Sequence, residues 1–117
     1  SSTMLKLIDY TGLWDSLREF AASKPVFGTC AGAILMASEV TNPGQQSLSL
    51  LDIAVERNAY GRQIDSHISK LELEDGPVEA VFIRAPVIRR TGPAVRVLAS
   101  DAGDPVWVEQ GMHMAAT

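Results

Sequence analysis

The only cysteine of the chain, Cys30, lies in the run Pro25-Val26-Phe27-Gly28-Thr29-Cys30-Ala31-Gly32-Ala33-Ile34-Leu35-Met36-Ala37. Thiol chemistry needs a sulfur held out at an approachable corner, and Gly-Thr-Cys-Ala-Gly is the cysteine form of the G-x-S-x-G nucleophile elbow. In that turn glycines leave room for a tight passage from strand to helix while the nucleophile stands at the top of the strand. Val26 and Phe27 form a short apolar run fit for a buried strand, and the series from Ala33 to Ala37 reads as the first turns of a packed helix. Amide groups at a helix start favour a thiolate over a thiol, which makes Cys30 a candidate nucleophile. The same amides, with the Ala31 N–H as leading candidate, could hold the oxyanion of a tetrahedral intermediate. The competing reading is that a lone cysteine among apolar residues is a small buried hydrophobe.

Other chemistry-bearing residues are fewer. The polar run Arg57-Asn58-Ala59-Tyr60-Gly61-Arg62-Gln63 follows a strand-like stretch and is either a binding loop or a solvated connection. Arg84 closes another strand-like run, where a guanidinium can anchor a carboxylate bidentately or simply form a surface ion pair. His67 and His113 have no metal-ligand spacing to each other or to Cys30, so no metal site is expected. His67 reads as a half-exposed strand residue, and His113 as either a packed residue or a base for Cys30.

The elements that must position these groups follow from periodicity and turn chemistry. Ser1, Ser2 and Thr3 offer cap-like hydroxyls before Met4, Leu5 and Ile8, a short amphipathic helix. Leu13, Leu17 and Phe20 recur at helical spacing, with Trp14 and Ala21 widening the apolar face, until Lys24-Pro25 ends the helix. The helix begun at Cys30 is expected to run to about Val40, where Thr41-Asn42-Pro43-Gly44 forms a loop. Leu51 to Glu56 reads as a strand. Ile64 to Glu74 is strand-like with a change of parity between Ile68 and Leu71 that suggests a bulge. Gly76-Pro77 reads as a turn before the strand Val78 to Ile83. Val95 to Ala99, Pro105 to Glu109 and Met112 to Ala116 read as an antiparallel meander.

Composition bounds the function. With 117 residues, one domain is expected, small for a complete α/β enzyme. A formal charge of -4 and a pI near 5.0 argue against a nucleic-acid partner, which calls for a basic surface. A single cysteine excludes an internal disulfide and favours a reducing, cytoplasmic setting. No apolar run reaches membrane-spanning length, and no signal-peptide pattern opens the sequence, so no membrane partner is expected. The opening at Ser1 without methionine, and the close at Thr117 just after a strand-like run, make both ends read as cut.

Three segments in order carry a resemblance: Gly28-Thr29-Cys30-Ala31-Gly32, then Glu56-Arg57-Asn58-Ala59-Tyr60-Gly61-Arg62-Gln63-Ile64-Asp65-Ser66, then Val81-Phe82-Ile83-Arg84-Ala85-Pro86. The chain resembles the family of glutaminase subunits of pyridoxal 5'-phosphate synthase, within the class I (triad) glutamine amidotransferases. The resemblance covers nearly all of the sequence, and the second and third segments separate this family from other triad amidotransferases. It implies an α/β fold, a mixed and largely parallel sheet flanked by helices, flavodoxin-like and incomplete in residues 1–117. It also implies Cys30 as nucleophile, Ala31 as oxyanion-hole residue, and Ser1, Arg57, Ile83 and Arg84 as glutamine-binding residues. L-Glutamine would be hydrolysed to glutamate and ammonia without a cofactor, and a synthase subunit would receive the ammonia to make pyridoxal 5'-phosphate. By the same resemblance, the family's first strand precedes Ser1, and its Phe-His-Pro-Glu segment, which carries the base and its orienting carboxylate, begins just after Thr117. His113 falls several residues short of that histidine. Two readings from other classes stay open: a catalytically silent regulatory or binding module of this fold, and another cysteine hydrolase.

Overall fold

The computed structural model describes residues 2–57, 67–82 and 86–117, apart from the side chains of residues 2, 67, 81 and 82. The chain opens with two helices, α1 (Ser2–Thr11) and α2 (Trp14–Ser23). Gly12, at φ 69°, separates them. The Leu13 N–H donates to the Ile8 carbonyl and the Gly12 N–H to the Asp9 carbonyl, a Schellman end that only a residue at ease in the left-handed region closes without strain. The Trp14 indole N–H donates to Asp9 Oδ1 at 2.6 Å and ties the two helices together across Gly12. The face that packs is not quite the expected one. Trp14 and Leu17 pack against Ile8, Leu35 and Leu48, and Ala21 is buried, whereas Leu13 and Phe20 remain exposed.

Strand β1 (Phe27–Thr29) leads into α3 (Ala31–Met36), which gives way at once to β2 (Ala37–Thr41). The helix therefore ends well before Val40. The carbonyls of Leu35 and Met36, which a longer helix would offer to Glu39 and Val40, instead accept the N–H groups of Leu48 and Leu50. A backbone carbonyl satisfied from a neighbouring segment no longer needs the next helical turn. β2 runs parallel to β3 (Leu51–Glu56), and β6 (Val87–Thr91) lies antiparallel on the other side of β3. β6 was not evident from the sequence. Its Arg89 and Arg90 pair across the strands with Glu56 and Asp52, at 3.1 and 3.0 Å.

The hairpin β4 (His67–Leu73) and β5 (Gly76–Phe82) forms a separate two-stranded ribbon. Its register runs from His67 opposite Phe82 to Leu73 opposite Gly76 without a shift, so the expected bulge is absent. Ile68 changes parity because it faces solvent, 65% exposed, while Leu71 packs inward. The turn falls at Glu74-Asp75, and Gly76-Pro77 already belongs to β5. The meander is as expected: β7 (Arg96–Asp101), β8 (Asp104–Gln110) and β9 (His113–Ala116) pair antiparallel, and β1 adds to β9 in parallel to give the order β1-β9-β8-β7.

A mixed α/β architecture flanked by helices is thus present. Of the described strand pairs, β1 with β9 and β2 with β3 are parallel and the other pairs are antiparallel, a smaller parallel share than the resemblance implied. The main core joins α3 to both larger sheets through Ile34, Met36, Leu51, Ile53, Ile88 and Val108. Among the described residues no helix is long and apolar enough to cross a membrane.

Candidate active site

The site is built on the corner between β1 and α3. The parallel ladder places Phe27 opposite Met114, Gly28 opposite Ala115 and Thr29 opposite Ala116. The Cys30 N–H continues it, donating to the Ala116 carbonyl at 2.9 Å, so the strand holds its course up to the cysteine. There the backbone turns sharply. Cys30 sits at φ 51° and ψ −111°, and α3 begins at the next residue. A side chain in this part of conformational space costs on the order of 1–3 kcal/mol, a strain the surrounding hydrogen bonds must hold in place. At this corner Cys30 is exposed. The alternative of a buried packing cysteine is therefore removed.

Gly28 shows why the corner can be so tight. A Cβ there would lie 2.6 Å from the Gly32 carbonyl oxygen and 2.5 Å from Met36 Sδ, so the first turn of α3 rests directly on the strand backbone. Gly32 differs: among the described residues a Cβ would meet nothing within 4 Å. The expectation that the turn requires both glycines holds for Gly28 alone, because only there does backbone meet backbone. Met36, whose sulfur closes over Gly28, is a contributor the sequence pattern did not single out.

At the helix start the Ile34 N–H donates to the Cys30 carbonyl at 3.3 Å, and no side chain caps the end. Helical geometry supplies no acceptor for the amides of the first turn, and the Ala31 N–H is the first of them. A donor beside an exposed thiol is the arrangement an oxyanion requires.

Arg57 closes β3, in a different sheet from the elbow, where its N–H donates to the Thr41 carbonyl at 2.9 Å. Ser1, Ile83 and Arg84 lie outside the described residues, as do residues 58–66 that follow Arg57. His113 is 9% exposed, and its Nδ1 accepts the Val26 N–H at 3.1 Å. Of its two readings, the packed one is observed. Phe27, expected in a buried strand, is 55% exposed, and its ring stacks on Trp107 with centroids 5.9 Å apart.

An α/β fold with an exposed cysteine on a strained strand-to-helix corner defines a class, that of enzymes and enzyme-like proteins built on a nucleophile elbow. Comparison with known proteins narrows it. The model of the SNO glutamine amidotransferase family matches residues 1–117, and the chain belongs to that family. A pyridoxal 5'-phosphate synthase subunit PdxT from Solibacter usitatus is 58% identical over 125 residues, covering 100% of this chain and 65% of the relative. The subunit of the same name from Koribacter versatilis is 54% identical over 119 residues, covering 100% of this chain and 62% of its own length. A crystal structure of a glutamine amidotransferase superposes with a TM-score of 0.86 at 45% identity, covering 95% of this chain and 61% of that one. The chain thus spans just under two thirds of the length of these relatives.

Proposed function

We propose that this chain carries the nucleophile of a glutaminase that hydrolyses L-glutamine to L-glutamate and ammonia. The observation that supports the reading most directly is the exposed Cys30 at φ 51° on the β1–α3 corner. In the reaction, the Cys30 sulfur attacks the side-chain amide carbon of glutamine, and the carbonyl oxygen becomes an oxyanion held by the Ala31 N–H. Collapse of the tetrahedral intermediate breaks the C–N bond, and the nitrogen leaves as ammonia with a proton from a base. Water then attacks the thioester, releasing glutamate and the free thiol.

In this reading Arg57 and Arg84 supply charge to the glutamine pocket, with Ser1 and Ile83 lining it. The base and its orienting carboxylate lie outside residues 1–117, as does the first strand of the domain. The ammonia passes to a synthase subunit that makes pyridoxal 5'-phosphate, in keeping with the synthase named for the relatives. A cytoplasmic location fits a free exposed thiol.

The test is covalent labelling of the complete protein, with its synthase partner present, by a glutamine-mimicking electrophile. Mass spectrometry should find a single adduct, on the peptide containing Cys30, and glutamine should protect against it. An unlabelled Cys30 in the folded complex overturns the assignment.

A further inference from the structure

β1 is only three residues long, yet it carries the backbone on which Cys30 stands. Its hold on β9 is visible bond by bond. At the Cys30 end the Cys30 N–H donates to the Ala116 carbonyl, and at the other end the Met114 N–H donates to the Val26 carbonyl, both at 2.9 Å. A parallel ladder repeats every two residues, so the next acceptor, for the Val26 N–H, should be the carbonyl of Met112. Met112 is not in the strand. Gly111 and Met112 form the turn between β8 and β9, with Gly111 at φ 59°. The Val26 N–H donates instead to Nδ1 of His113 at 3.1 Å. The imidazole of His113, a residue 9% exposed, stands in for the missing rung through a part-buried hydrogen bond.

We propose that His113 is a positioning residue for the nucleophile. Its neutral imidazole, with the proton on Nε2, completes the β1–β9 ladder and thereby sets where the strand presents Cys30. The proposal rests on Cys30 being the reacting group. A purely apolar side chain at 113 would leave the Val26 N–H without an acceptor and free the foot of a three-residue strand whose far end is the elbow.

Three forms of the protein test this: wild type, His113→Leu and His113→Asn. Leucine fills similar space and accepts nothing, whereas the Asn Oδ1, also attached to Cγ, can occupy the place of Nδ1. Loss of the rung should speed hydrogen exchange at the Val26 amide at least about tenfold in His113→Leu. It should also change the rate of Cys30 alkylation by iodoacetamide at least about threefold, because reactivity follows the placement of the reacting atom. His113→Asn should bring both back toward wild type. Unchanged Val26 protection in His113→Leu overturns the proposal, and so does equal behaviour of the two variants. A lost Val26 hydrogen bond with unaltered Cys30 alkylation overturns it as well. Imidazole nitrogen NMR on the wild-type protein needs no variant: an unprotonated, accepting Nδ1 is expected, and a proton on Nδ1 sinks the idea. Glutaminase turnover that survives Cys30→Ser would defeat the nucleophile assignment while leaving the Val26–His113 bond to be judged by exchange.

Discussion

The elbow and the β4–β5 ribbon are both short, turn-centred pieces of backbone, and their strands find their partners at different ranges. The ribbon pairs residues close in sequence, with an unbroken register around Glu74-Asp75. Among the described residues its ties to the rest run through side chains. Leu71 packs on Ala99 and Val106, Ser69 Oγ donates to Asp101 Oδ1 at 2.6 Å, and Arg96 reaches Glu74 at 2.6 Å between two well-exposed side chains. An exposed ion pair of that kind contributes little. The elbow is close-packed locally, with the first turn of α3 resting on Gly28, but its strand has no backbone partner nearby in sequence. Its strand leans on β9 from the far end of the chain, and the Val26–His113 bond joins positions 87 residues apart. Trp107 connects the two regions, packed beside the ribbon's core on one side and stacked on Phe27 on the other. The difference teaches that the strained turn at Cys30 depends on strand pairing across the chain as well as on local packing, since the surrounding structure must over-determine a strained backbone.

This contrast can be broken most severely at Gly28. Gly28→Ala places a methyl group against the Gly32 carbonyl and Met36, and should lower unfolding stability by about 3 kcal/mol in urea denaturation, at the upper end for overpacking because the obstructing atom is backbone. A loss below about 1 kcal/mol would mean that the elbow can open, and the two regions would no longer differ in kind. Next comes Leu71→Ala in the ribbon, expected to cost about 2 kcal/mol, at the low end for a buried leucine because a two-stranded ribbon can settle into the space. A larger loss than at Gly28 would reverse the order of the two regions. The smallest effect sharpens the comparison within the elbow itself. Gly32→Ala should raise stability by about 0.5 kcal/mol, since the residue is helical and, among the described residues, nothing obstructs a Cβ. A marked loss there would show that both glycines, not Gly28 alone, are needed for backbone contact.

Local chemistry made much of this molecule legible in its residues. The elbow is announced by Gly-Thr-Cys-Ala-Gly, although close backbone approach demands a glycine only at Gly28. Strands β8 and β9 follow from alternating burial and the turns beside them, and Leu51 to Glu56 from a short, mostly apolar run. Three features had no local signal. α3 stops at Met36 because Leu48 and Leu50 take the carbonyls that would continue it, a choice made by residues a dozen positions away. β6 is a strand because β3 offers it a partner and two carboxylates for Arg89 and Arg90. His113 becomes the acceptor for Val26 because a turn withdraws the carbonyl that the ladder would otherwise use. The sequence by itself determined which residues can react and which turns can form, since those depend on side-chain chemistry and backbone freedom within a few positions. Only the tertiary structure decided where each element ends and what supports the cysteine, because backbone hydrogen bonds are satisfied by whichever partner the fold brings near.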